Sequence, residues 1–117
     1  MSQDAFSMED HPGTRPGQRQ NALPGPLTLA AVFGFQATVR ADKSQTLIID
    51  LTGTPYVDSA GIGALVGAYV THQKEGRNLA LVGVCERVHN AFKVTRVDEF
   101  FRYFDSVEAA EQAGAAA

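Results

Sequence analysis

The segment Tyr56-Val57-Asp58-Ser59-Ala60-Gly61-Ile62-Gly63 puts a carboxylate beside a hydroxyl where an apolar strand hands over to a helix. Asp58 or Ser59 can accept a hydrogen bond from a free N–H of the helix's first turn and so act as its cap. The residues that follow suggest more than capping. On a helical wheel Ile62, Leu65, Val66 and Tyr69 fall within about 100° and are expected to face a sheet. Ala60, Gly63, Gly67 and Val70 fall near the opposite side. A glycine-rich outer face has poor helix propensity, so its presence needs a reason. Packing against another element of the domain is one reason. A smooth surface onto which a partner docks closely is another.

Other chemistries are poorly supplied. A serine nucleophile needs a base and a group to orient that base. His11 lies in a turn-rich stretch, His72 is more than three helical turns from Ser59, and no Gly-x-Ser-x-Gly elbow is present. His11, His72 and His89 all read as solvated or helix-end residues. Asp50 and Asp58 are a conceivable acid/base pair, but Asp50 at a strand end is better satisfied by loop N–H groups. The His, Cys and acidic residues lack the spacing of a common metal site, so neither metal nor cofactor is expected. Gly61 to Gly67 approaches a dinucleotide fingerprint, yet Val66 stands where the third Gly or Ala belongs, and no acidic residue follows the next strand as required. Cys85 occupies a strand-to-helix turn, where a thiol can be reactive, but it has no second Cys and no paired base. A single Cys also excludes an internal disulfide. The chain is not expected to be an enzyme.

The elements that must position this segment are readable from periodicity. Thr46 to Leu51 is β-branched and almost continuously apolar, as in a strand buried on both faces of a sheet. Thr52-Gly53-Thr54-Pro55 turns the chain into a helix from Ser59 to Lys74, stopped by Gly76. Leu79 to Val84 is a second buried strand, Glu86 to Val94 a helix, Phe101 to Phe104 a last strand, and Ser106 to Gln112 a short final helix. Upstream, Thr28 is a candidate N-cap for a helix to Ala41, with Val32, Phe35 and Val39 in one stripe and Phe33 to its side. Phe33 and the Phe100 to Phe104 cluster read as core; either becomes an interface anchor if exposed. Residues 1–25 are an edge hairpin, pairing Ala5–His11 with Gln18–Leu23, or a flexible leader. Residues 113–117 are a flexible tail. The alternation implies right-handed crossovers and one α/β domain over 1–117.

Ten Lys plus Arg against 13 Asp plus Glu leave a net charge of −3, which argues against nucleic acid or an anionic membrane as main partner. The start, Met1 to Phe6, has no basic region followed by an apolar one, and the run from Ala60 to Val70 is far below the roughly 18 residues of a spanning helix. The expected setting is cytoplasmic, with no membrane insertion.

Asp58-Ser59-Ala60-Gly61-Ile62-Gly63, following Leu47-Ile48-Ile49-Asp50-Leu51, resembles the signature of STAS domains, in particular the single-domain bacterial anti-sigma factor antagonists. The resemblance continues through Leu79 to Val84, Val88, Phe92, Thr95-Arg96-Val97-Asp98, Phe101 and Asp105-Ser106-Val107-Glu108, covering about Ser44 to Ala110. Where many members carry an acidic Gly-Glu-Leu-Asp stretch, this chain has Gly25-Pro26-Leu27-Thr28. The resemblance implies a four- or five-stranded mixed sheet with helices on one face. It also implies a switch: Ser59 is phosphorylated by a serine-kinase anti-sigma factor with a histidine-kinase-like ATP-binding fold, the unmodified form binds that kinase and frees a sigma factor, and a serine phosphatase resets the cycle. Asp58, Ser59, Ala60, Gly61, Gly63 and Gly67 would form the partner-binding face. The alternative is an adaptor or subunit of a transporter or stress-signalling complex, in which Ser59 only caps the helix.

Overall fold

The computed structural model describes residues 8–13 and 16–116. In chain order the elements are β1 (Glu9–Pro12), β2 (Gln18–Ala22), α1 (Leu29–Ala41), β3 (Thr46–Asp50), α2 (Ser59–Lys74), β4 (Asn78–Val82), α3 (Glu86–Val94), a 3-10 turn at Asp98–Phe100, β5 (Arg102–Phe104) and α4 (Val107–Ala116). Residues 5–7 of the expected first strand lie outside the described ones. α2 and α3 run over the spans that periodicity predicts. α4 extends beyond Gln112.

The strands lie side by side in sequence order. β1 pairs antiparallel with β2, and β2, β3, β4 and β5 are parallel neighbours. Successive side chains of a strand point to opposite faces, so the apolar run of β3 serves two cores. Leu47 and Ile49, with Leu51 just beyond the strand and Leu79 and Leu81 of β4, meet Val32, Phe35 and Val39 of α1, Leu65 and Ala68 of α2, and Val88 and Phe92 of α3. Ile48, Ala80 and Val82 point the other way and are covered by Ala110 and Val107 of α4.

The sheet is mixed and five-stranded, as expected, and α1, α2 and α3 share one face of it. The expectation that every helix would do so needs one correction, because α4 covers the opposite face. The reason is topological. A right-handed crossover repeated in one direction across a sheet keeps each crossover helix on the same side. α4 follows the last strand and connects to no further one, so it is free to cover the apolar residues the others leave bare.

Gly76, with φ +69°, ends α2, a backbone state that glycine adopts without a Cβ clash. Two further expectations concern side chains at the ends of elements. Asp50 is satisfied within its loop, accepting from Thr52 N–H at 2.9 Å and Thr52 Oγ1 at 2.6 Å. His72 is at a helix end, as predicted, but it is buried and not solvated, because it falls on the same side of α2 as Leu65 and Ala68.

Candidate functional site

Ligand and partner sites of parallel sheets gather at the carboxyl ends of the strands, and the Asp58-Ser59 pair lies there. The loops after β2 and β3 are joined by a short backbone ladder: Leu27 N–H donates to Tyr56 O and Asp58 N–H donates to Leu27 O, each at 3.2 Å. α1 and α2 therefore start beside one another, and one side chain serves both.

Asp58 Oδ1 accepts from Gly61 N–H at 2.8 Å, which caps α2. Asp58 Oδ2 accepts from Leu29 N–H at 2.9 Å, in the first turn of α1. Thr28, the residue expected to cap α1, makes no side-chain cap bond, because Asp58 has taken its place from across the ladder. The bonds from Gly61 and Leu29, in that order, hold the Asp58 carboxyl below its ordinary value. A carboxylate so depressed contributes stability above its unfolded pKa and loses it as pH falls. Asp58 should therefore sharpen the acid limb of the stability curve below about 3.8, its ordinary value. Asp58→Asn offers one carbonyl oxygen where two N–H groups need acceptors. Melting temperature measured across pH should show a deficit on the order of 5 °C at neutral pH, narrowing as the native Asp58 protonates. A deficit independent of pH would show that the carboxylate is not the cap that matters.

With the cap assigned to Asp58, Ser59 has no such duty. It is the first residue of α2, exposed, and among the described residues its hydroxyl has no hydrogen-bond partner. Gly63, Gly67 and Val70 are exposed on the outer face of α2, with Ala60 partly so. Gly61 is not on that face. Its neighbours four and seven residues on are Leu65 and Ala68, and all three are buried. A Cβ at Gly61 would collide with the Leu27 carbonyl oxygen, whereas at Gly63 or Gly67 it would meet nothing within 4 Å. Gly61 permits the close approach of the two helix starts; Gly63 and Gly67 leave an outer surface smooth.

Two further residues complete this surface: Leu29, to which the sequence assigns no role, and Phe33, expected as core or, if exposed, as an interface anchor. Leu29 and Phe33 are 64% and 77% exposed. They share a stripe of α1 with Gln36 and Arg40 at helical spacing, and those two line a groove against Ala64, Gly67 and Thr71 of α2. Leu29 and Phe33 thus extend that flank towards the start of α2. Their signal in the sequence was an apolar i, i+4 pair lying off the Val32-Phe35-Val39 stripe. Beside the loop, the Arg87 guanidinium sits 4.9 Å from the Tyr56 ring centroid. Cys85 Sγ reaches the Thr54 and Pro55 carbonyls, at 3.8 and 3.7 Å. Phe101 is core, while Phe100 is 43% exposed and stacks on Tyr69 with centroids 5.5 Å apart.

Among the described residues no group of three His, Cys, Asp or Glu is arranged to hold a metal ion. No helix among them is long and apolar enough to cross a membrane.

Comparison with known proteins places this arrangement. The family model of the STAS domain matches residues 17–110. An anti-sigma-B factor antagonist of Listeria monocytogenes is 36% identical over 53 residues, 45% of this chain and 46% of that protein. The chain thus spans about half the length of that relative. Among solved structures, an anti-sigma factor antagonist from Mycobacterium paratuberculosis superposes with a TM-score of 0.77 at 19% identity, covering 93% of this chain and 95% of the other. The Bacillus cell fate determinant SpoIIAA in its phosphorylated form gives 0.69 at 18% identity, over 93% and 99%. At these identities the likeness is one of fold. The murine anion transporter Solute Carrier 26 family member A9 matches at 0.77 and 26% identity, over 88% of this chain and 18% of the transporter. With four-fifths of its length matched by the family model, the chain belongs to the STAS domain family.

Proposed function

We propose that this protein is an anti-sigma factor antagonist whose Ser59 face binds a serine-kinase anti-sigma factor, and that phosphorylation of Ser59 ends the complex. The observation that carries this reading is the division of labour at the start of α2. Asp58 performs the capping for two helices, which leaves Ser59 an exposed hydroxyl with no role in the fold. Around it lie Ala60, Gly63 and Gly67, and beyond them the exposed apolar pair Leu29 and Phe33. A phosphoryl group on Ser59 adds about −1.5 to −2 charge. The positive end of the α2 dipole tolerates that charge in the free protein. In a desolvated interface the same charge is costly, so modification disrupts docking and spares the fold. The match to an anti-sigma-B factor antagonist supports this role, and the chemistry belongs in the cytoplasm, where sigma factors act. A serine phosphatase would restore the binding form.

The test is to purify the tagged chain from its native cells and identify what accompanies it, with phosphopeptide mass spectrometry of Ser59. The expected result is an ATP-binding protein of histidine-kinase-like fold, phosphate on Ser59 in the uncomplexed fraction, and about tenfold weaker capture by Phe33→Ala. A membrane permease in place of the kinase, with Ser59 unmodified across growth and stress conditions, would support the second reading. That reading, an adaptor without a phosphoswitch, is favoured by the likeness to the domain carried by the anion transporter.

A further inference from the structure

The lower halves of α1 and α2 enclose a groove of about 250 Å³ that shares Gly67 with the Ser59 surface but runs away from it along both helices. Its apolar lining comes from Phe35, Val39, Ala64 and Ala68, and Gly67 leaves its upper part open. Four charged groups border it. Arg77 and Glu75 neutralise one another, with Arg77 Nη2 2.7 Å from Glu75 Oε1, and Arg77 is held further by the carbonyls of Asp42 and Ser44 at 3.1 Å each. Arg77 Nη1 also lies 3.7 Å from Asp42 Oδ2, so Arg77 is set between two carboxylates. Arg40 and Lys43 make no ion pair among the described residues, and the rim as a whole is positive by one charge.

His72 also lines the groove and is 1% exposed. Its Nδ1 lies 2.8 Å from Ala68 O. A carbonyl only accepts, so Nδ1 carries the proton. Burial, the largest influence on this ring, favours its neutral form. In that form Nε2 is a lone-pair acceptor, and it is buried with no hydrogen-bond partner among the described residues. A buried polar atom without a partner calls for a donor.

We infer that this groove is a binding site for a small hydroxylated phosphate ester. The unpaired Arg40 and Lys43 favour an anion, for which Arg40 supplies a planar fork and Lys43 a point charge. The ligand's hydroxyl donates to His72 Nε2, and its carbon chain lies on Phe35, Val39 and Ala68. The volume suits a molecule of a few carbons. The His72 end of the site is more than three turns along α2 from Ser59.

The experiment titrates the isotopically labelled full chain with glycerol 3-phosphate, propyl phosphate and inorganic phosphate, following backbone amides by NMR. Glycerol 3-phosphate should give saturable shifts at Arg40, Gly67, Thr71 and His72. Propyl phosphate, which lacks the hydroxyls, should bind about fivefold more weakly. The exposed double variant Arg40→Gln/Lys43→Gln should lose about tenfold in affinity. His72→Phe keeps the ring volume and should bind the two esters equally. Absence of saturable shifts up to roughly 20 mM would overturn the proposal. So would equal affinity of the native chain for both esters, or inorganic phosphate binding as tightly as glycerol 3-phosphate. Because the double variant alters only surface side chains, the anion arm stands even if His72→Phe does not fold.

Discussion

Gly61→Ala lowers the stability of this protein by about 3 kcal/mol, while the same substitution two and six residues further along α2 raises it. A Cβ at Gly61 collides with the Leu27 carbonyl oxygen, which is backbone and already accepts from Asp58 N–H. Neither atom can rotate away, so the two helix starts must separate and the Asp58 bridge must lengthen. Overpacking of this kind costs about 1–3 kcal/mol, and loss of the bridge puts this case at the upper end. Gly63→Ala and Gly67→Ala meet open space and gain the helix propensity that glycine lacks, about 0.5–1 kcal/mol each. Thermal melts of the three variants should therefore spread over roughly 15 °C with the native chain between them. If Gly61→Ala melts with the native protein, the approach of α2 to Leu27 is not the constraint described here. The two stabilising variants carry a second expectation: methyl groups on the docking face should weaken partner binding while the fold improves, a trade between stability and function.

Ser59→Asp should reduce affinity for the kinase-type partner about 100-fold, whereas Ser59→Ala should bind within about threefold of the native chain. The alanine variant removes a hydroxyl that has no intramolecular partner among the described residues, so little is lost in either state. The aspartate variant places a charge where docking excludes water. Both proteins should melt near the native temperature, and Ser59→Asp slightly higher, because an acid in the first turn interacts favourably with the helix dipole. Calorimetric titration against the purified partner, with melts run alongside, separates the two effects. Native-like binding by Ser59→Asp would place the interface elsewhere and end the phosphoswitch reading. A melting point lowered in step with affinity would instead make the loss one of folding.

The buried strands were legible because burial on both faces leaves an unbroken apolar run, and Thr46 to Leu51 has one. α2 and α3 were legible from periodicity with stop signals, and the Asp58-Ser59 pair from its place between strand and helix. The family resemblance added the role of Ser59, which the pair alone leaves open between capping and modification.

Three things were decided only in three dimensions. Asp58 caps α1 as well as α2 because the loops after β2 and β3 pair through Leu27 and Val57; residues about thirty apart have no local signature of such a bond. The three glycines of α2 look alike in sequence, yet Gly61 is buried and Gly63 and Gly67 are open, since only the neighbouring backbone at Leu27 distinguishes them. His72 is buried because α1 and the sheet close over its side of the helix. The sequence by itself determined which residues prefer water and which prefer strands or helices, because those preferences are local. Which outward residue becomes a surface and which becomes a contact was left to the tertiary structure, because that depends on atoms brought close from distant parts of the chain.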